Sequence, residues 1–157
     1  PEQVSQQWAN IKAQEQALKP QKQRRYLLEH LATGQPALTR AEKIQKAVSK
    51  VGFDWADSGA VLAKIKEEVA EIEQAIAESP ETIQEELGDL LFCVVNLARH
   101  LGLDCEYSLK LANVKFTRRF NFIEDKLYEQ NKDFSQTDLA EMEHFWQLAK
   151  QAKLTKE

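Results

Sequence analysis

The hydrophobic residues of this chain recur three or four positions apart through most of its length, which is the spacing of one face of an α-helix. Capping residues, prolines and glycines divide this pattern into separate helices. Only five Gly and four Pro occur in 157 residues, so turns are few and a many-stranded barrel or sandwich is excluded. The sequence predicts an all-α fold, with helices over about 40–51, 58–78, 80–101 and 106–131, and a last helix that opens at Ser135.

Local signals set the ends of the first and third predicted helices. Thr39 and Glu42 form a capping box at the start of the first helix, and Gly52 ends it. Ser79 and Pro80 provide an N-cap and a first-position proline for the third helix.

Most of the helices carry one apolar stripe, and these stripes predict the core. The stripe of the second helix consists of Leu62, Ile65, Val69, Ile72 and Ile76. That of the fourth consists of Leu109, Ala112, Phe116, Phe120, Ile123 and Leu127. The third helix is apolar on more than one side, because Leu91, Phe92 and Val95 lie beyond its main stripe. Such a helix is either central in its bundle or shared with a second subunit, so we expect a bundle of four to five core helices that forms a homodimer.

An acidic motif occurs twice in the same register, at residues 65–72 and 83–90. It places Glu68 and Glu71, and again Glu86 and Asp89, on the same edge of an apolar stripe. If the two stripes pack together, the four carboxylates converge and repel one another. No Lys or Arg lies one turn away on these edges to pair with both helices. A divalent cation would relieve the repulsion, and hard oxygen ligands suit Mg²⁺, with Mn²⁺ as a substitute.

The acidic residues also allow interpretations in which they have no role in metal binding. A single pair of acidic residues three positions apart is usually a solvated helix face. Glu67 and Glu85 each add a second glutamate to a motif, and they could lie around the metal ligands, serve as a general base or be solvent-exposed charges.

Gly88 lies between the acids of the second motif and costs a helix about 1 kcal/mol relative to Ala. We therefore expect a packing or site requirement for a small residue there.

Basic residues follow on the fourth predicted helix. Lys115 and Arg119 are one turn apart with Arg118 beside them, and such a group can hold phosphate oxygens. Trp146 and Lys150 could add a base-stacking face and another phosphate contact. Each of these residues could instead be core, rim or surface charge. No glycine-rich phosphate loop is present, which excludes a Walker-type nucleotide site.

The composition indicates which partners and which cellular compartment to expect. The net charge of −4 argues against nucleic-acid binding, which requires a clustered basic surface. No apolar run reaches the roughly 20 residues of a membrane span, and no signal-peptide pattern opens the chain. Cys93 and Cys105 lack metal-ligand spacing and are expected to be reduced thiols. We expect a cytoplasmic protein that contacts neither nucleic acid nor membrane.

The paired acidic motifs, the basic motif at 113–120 and the segments 36–46 and 51–55 together resemble the C-terminal domain of the MazG nucleoside triphosphate pyrophosphohydrolases. The resemblance covers nearly the whole chain. It implies an all-α bundle that dimerises, and Mg²⁺-dependent hydrolysis of NTPs or dNTPs to the monophosphate and pyrophosphate. It further implies that the metal is held by Glu68, Glu71, Glu86 and Asp89, and the nucleotide by Lys115, Arg119, Trp146 and Lys150.

The same resemblance suggests how the chain is organised. Trp8 and Lys12 repeat the spacing of Trp146 and Lys150. Since MazG proteins of this kind carry two tandem domains, residues 1–19 are interpreted as the closing helix of a preceding domain. A linker is predicted over residues 20–38, and the MazG-like catalytic domain over residues 39–154.

The implied mechanism is attack of a water molecule on the α-phosphate, with Glu67 or Glu68 as the base and with Lys115 and Arg119 stabilising the phosphate oxygens. Two other classes of protein were weighed. A di-iron carboxylate bundle would require Glu-x-x-His pairs, which these motifs lack. A catalytically silent helical module that dimerises or docks a partner remains the alternative, and release of pyrophosphate distinguishes the two.

Overall fold

The computed structural model describes residues 25–152, so the helix predicted before the linker lies outside the described residues. The described residues divide into two compact units, residues 25–54 and residues 55–152. Each described element is helical, which confirms the all-α prediction for residues 25–152. Within those residues, none of the helices is long and apolar enough to cross a membrane.

The first unit contains helix α1, Ala37–Ser49. The predicted capping box at Thr39 is wrong, because the helix begins three residues earlier than predicted, with Pro36 as its N-cap and no side-chain cap. Pro36 has an extended ψ of 141°, and its carbonyl oxygen accepts the first helical hydrogen bond, from the Arg40 N–H at 2.9 Å, so the helix begins at Ala37. The predicted linker boundary at residues 38 and 39 falls inside α1. Gly52 ends the segment as predicted, with a φ of +86° that favours glycine.

The second unit contains four helices: α2, Ser58–Glu78; α3, Ile83–His100; α4, Cys105–Glu129; and α5, Leu139–Gln151. Aspartates cap three of them, because the side chains of Asp57, Asp104 and Asp138 accept hydrogen bonds from backbone N–H groups in the first turn of α2, α4 and α5. Asx capping therefore fixes where each of these helices begins.

Two predicted helix starts differ from the observed ones, since short 3-10 turns occupy those positions. Pro80–Thr82 forms one such turn before α3. Phe134–Gln136 forms the other, closed by a capping box of Asp133 and Gln136, so α5 begins after Asp138 and not at Ser135.

The helices of the second unit pack as two pairs. Helix α2 packs along α3, and α4 packs along α5, whereas α3 and α4 contact each other much less. The α4–α5 pair has a core of Ile123, Leu127 and Phe145, against which Phe120, Met142 and Trp146 are partly buried. The α2–α3 pair buries Val61, Ala75, Cys93 and Val95.

The predicted core stripe of α2 is only partly correct. Its most buried residues are Val61, Glu68 and Ala75, spaced seven residues apart, whereas Ile76 of the predicted stripe is 62% exposed. The amino-terminal half of the α4 stripe is also exposed, with Phe116 at 57%. In the single chain, apolar faces of α2, α3 and α4 therefore remain open to solvent, with further members at Leu62, Val69, Leu87, Leu91, Val94, Leu109, Leu111 and Val114.

Candidate metal and nucleotide site

Three carboxylates from two helices meet where α2 packs against α3. Glu68 and Glu71 lie one turn apart on α2, and Glu86 lies near the start of α3. One ligand oxygen from each lies within 4.8 Å of the other two. The acidic edges of the two motifs thus face each other, as the register of the repeat requires when the stripes pack together.

Glu68 is the buried member of this group. Only 3% of the residue is exposed, and a glutamate is almost never buried to this extent unless it is paired. Its Oε2 atom is buried and receives no hydrogen bond from any group within residues 25–152. A buried carboxylate oxygen without a donor is costly unless a cation satisfies it. The buried oxygen and its two carboxylate neighbours therefore fit a divalent cation with oxygen ligands.

Lys64 is a residue beside the carboxylate cluster that the sequence analysis did not single out. Its Nζ lies 2.7 Å from Oε1 of Glu68 and 2.8 Å from Oε1 of Glu67. We expected no basic residue one turn away that could pair with both helices; Lys64 lies one turn before Glu68, and the two carboxylates that it contacts belong to its own helix. These two contacts raise the pKa of Lys64, so its ammonium stays charged at neutral pH. Its spacing of three and four residues from the two glutamates was the signal that could have revealed it.

The charges of the cluster shift the pKa of Glu71, which is half-buried. Loss of hydration raises the pKa of its carboxyl, and the negative charges of Glu68 and Glu86 raise it further, while Lys64 opposes the shift. Like-charge proximity of this kind favours binding of either a proton or a metal ion.

The other acidic candidates lie around this group without joining it. Asp89 is exposed and is not among the three carboxylates that share the 4.8 Å cluster, although it lies one turn after Glu86. Glu85 is exposed. We expected a packing or site requirement at Gly88, and a Cβ atom added there would meet nothing within 4 Å among residues 25–152, which gives no support to the packing requirement. The structure thus brings together three of the four predicted ligands.

The basic candidates lie on the other helix pair. Arg119 on α4 places its Cζ atom 5.5 Å from the ring centroid of Trp146 on α5, a cation–π contact. Phe116 packs against the same ring, with centroids 5.1 Å apart. The guanidinium is therefore held by an aromatic group, so its orientation depends on how α4 packs against α5.

The remaining basic candidates are surface groups of the same pair. Lys115 and Lys150 are exposed, and Lys150 Nζ donates a hydrogen bond of 3.3 Å to Gln147. Arg118 helps line an open depression made only of α4 residues. One helix cannot enclose a nucleotide, so a further wall would have to come from another element or another subunit.

The two cysteines are free thiols, as predicted. Burial raises the pKa of Cys93, and the nearby charge of Glu68 raises it further. A thiol in this state is a weak nucleophile, which argues against covalent catalysis through Cys93.

Comparison with known proteins agrees with these features. Residues 57–122, which span α2, α3 and most of α4, match the MazG nucleotide pyrophosphohydrolase domain. The nucleoside triphosphate pyrophosphohydrolase of Escherichia coli K12 is 41% identical over 151 residues, covering 94% of this chain and 56% of the relative. A Thermotoga maritima protein named nucleoside triphosphate pyrophosphohydrolase/pyrophosphatase MazG is 37% identical over 144 residues, covering 92% and 54%.

The chain thus spans about half the length of these two relatives. The Bacillus subtilis protein YabN, described as uncharacterized, is 34% identical over 129 residues, covering 81% of this chain and 26% of the relative. The matched domain contains both acidic motifs and the basic motif of α4. Residues 57–122 of this chain are therefore a MazG-type domain.

Proposed function

We propose that this protein is a Mg²⁺-dependent nucleoside triphosphate pyrophosphohydrolase, which hydrolyses NTPs or dNTPs to the monophosphate and pyrophosphate. The observation that carries the proposal is the buried, donor-free Oε2 of Glu68 beside Glu71 and Glu86. The names of the two long matches, in Escherichia coli and Thermotoga maritima, support the same reaction.

The proposed metal ligands are Glu68, Glu71 and Glu86, with Asp89 as a fourth carboxylate one turn after Glu86. When bound, a divalent cation would neutralise the triphosphate and acidify a water molecule; Mg²⁺ suits such a site, and Mn²⁺ would substitute for it. Glu67 is the better-placed base for that water, because its side chain is 59% exposed while Glu68 is buried. An exposed carboxylate can accept a proton and return it to solvent.

The proposed nucleotide-binding residues lie on α4 and α5. Arg119 would bind phosphate oxygens as a planar fork, and Lys115, one turn earlier, as a point charge. Trp146 holds the Arg119 guanidinium against its ring, which limits the freedom that the arginine loses on binding. Arg118 and Lys150 would add charge around the phosphates.

The protein is further proposed to act as a homodimer in the cytoplasm. The support is the apolar surface that the single chain leaves open on α2, α3 and α4, with Leu91 at 49% exposure. A second copy that covers these faces would also provide a wall opposite α4. The cytoplasm is where free thiols such as Cys93 and Cys105 stay reduced. Sedimentation velocity tests the dimer: a sedimentation coefficient of a monomer at micromolar concentration would contradict it.

The reaction is tested by measuring pyrophosphate release from a panel of NTPs and dNTPs, with Mg²⁺ and with EDTA. The expected result is stoichiometric monophosphate and pyrophosphate that EDTA abolishes. A folded chain that releases no pyrophosphate from any member of the panel would instead be the silent helical module.

A further inference from the structure

Lys64 divides the two oxygens of Glu68 between different environments. Oε1 lies 2.7 Å from the Lys64 ammonium, whereas Oε2 is buried without a donor. In the metal-free chain this leaves Oε2 as the atom through which Glu68 can bind a further cation. An ordinary surface ion pair would not do this, since both of its carboxylate oxygens remain in water.

The same ammonium also holds Glu67. Its 2.8 Å contact with Oε1 of Glu67 draws that carboxylate toward Lys64 on the α2 surface. Only one third of the Lys64 side chain is exposed, and Glu68 is almost fully buried, so solvent screens the Lys64–Glu68 contact incompletely. Lys64 therefore neutralises part of an acidic group that consists of Glu67, Glu68, Glu71 and Glu86.

We propose that Lys64 is a built-in counter-cation and positioning residue of the carboxylate site, which reserves Oε2 of Glu68 for a single divalent ion and keeps Glu67 out of that ion's ligand set. The proposal rests on the proposed metal site. It adds a role for Lys64: the residue lowers the intrinsic affinity for the ion and holds Glu67 outside the ligand set of that ion.

The sign of the affinity change follows from electrostatics. Lys64 is bonded to one oxygen of the carboxylate whose other oxygen would contact the ion, so two positive charges lie on either side of Glu68. Removing the ammonium removes a repulsion between a single and a double charge a few ångströms apart, which predicts about tenfold tighter binding of a divalent ion. It also frees two further carboxylate oxygens for coordination.

The test uses Mn²⁺ as the probe, with free Mn²⁺ measured by electron paramagnetic resonance in titrations of the full 157-residue chain. Lys64→Met keeps the aliphatic stem and removes the charge, and Lys64→Gln is a second neutral variant. Both are expected to bind Mn²⁺ about tenfold more tightly than the parent. Lys64→Arg keeps the charge and should stay within about threefold of the parent.

Lys66→Met is the matched control, because Lys66 is an exposed lysine on the same helix and its loss changes the net charge by the same amount. It should leave the Mn²⁺ affinity within about twofold of the parent. A merely structural Lys64 would give the opposite sign in the neutral variants, with a lower melting temperature and weaker Mn²⁺ binding.

Glu86→Gln separates this proposal from the metal site on which it rests. If the parent binds Mn²⁺ and Glu86→Gln loses that binding, while folded Lys64→Met and Lys64→Gln bind within twofold of the parent or more weakly, only the counter-cation role is overturned. If the parent binds no Mn²⁺, or Glu86→Gln binds as the parent does, the metal site and the role of Lys64 are both overturned.

Discussion

The substitution Glu86→Gln separates a metal-binding role from a structural role for the carboxylate cluster. It keeps the size and polarity of the side chain and removes one of three negative charges whose oxygens lie within 4.8 Å of one another. At 4.8 Å the charges of Glu86 and Glu68 repel by about 1 kcal/mol in water and by about 3.5 kcal/mol at an effective dielectric constant of about 20. Because Glu86 is only half-buried, the lower figure is the appropriate one.

Relief of this repulsion should stabilise the metal-free variant. A gain of about 1 kcal/mol corresponds to a melting temperature about 2–4 °C higher for a chain of this length. Mg²⁺ should reverse the order, because free Mg²⁺ at about 100 times its Kd stabilises the folded parent by about 2.7 kcal/mol. The variant lacks an anionic ligand, so Mg²⁺ should stabilise it much less. Its pyrophosphohydrolase rate should be lower than that of the parent by a factor of about 10² or more.

The assay consists of thermal unfolding scans with EDTA and with millimolar Mg²⁺, beside a pyrophosphate assay. Glu85→Gln is the matched control, because Glu85 is an exposed neighbour on the same helix outside the cluster, and it should follow the parent. A variant that melts well below the metal-free parent, or that keeps most of its activity, would show that Glu86 is structural.

Three further predictions concern other parts of the chain. Arg119→Ala should lower kcat/KM by a factor of about 10² or more. A value within twofold of the parent would show that the basic motif is only surface charge. Since Cys93 and Cys105 are free thiols, a strong reductant should change neither the activity nor the sedimentation coefficient. The Lys132 contact lowers the pKa of Glu141, so it should stabilise the fold above the unfolded-state pKa of about 4.5 and lose that effect as the pH falls through the folded value. Glu141→Gln should therefore lower the melting temperature more at pH 7 than at pH 3, and an equal loss at both would contradict the ion pair.

Sequence periodicity predicted the existence and order of the described helices because apolar residues recur at helical spacing along each of them. Helix starts were harder to predict, since several residues near each start can cap. Thr39 and Ser135 were plausible caps, but Pro36 and Asp138 are the ones that the fold uses. The competing N-cap candidates lie within four residues of each other, and local sequence preferences alone do not identify which of them starts the helix.

The candidate site was predictable to the extent that it depends on register. The two acidic motifs match position by position, so packing of α2 on α3 brings Glu68, Glu71 and Glu86 together. The burial of Glu68 was not predictable, because it depends on which line of α2 faces α3. The pairing of Lys64 was missed because Lys64 lies one residue before the motif at 65–72, whose Glu67 and Glu68 share its ammonium.

Hydrolysis in water enriched in ¹⁸O tests the central claim most directly, because the label marks the phosphorus atom that the water attacks. With Mg²⁺ present, attack at the α-phosphate predicts one ¹⁸O atom in the nucleoside monophosphate and none in the pyrophosphate, as measured by mass spectrometry. The Glu86→Gln variant should yield neither labelled product above background. Label in the pyrophosphate, release of orthophosphate as the primary product, or the same yield with EDTA would contradict the account.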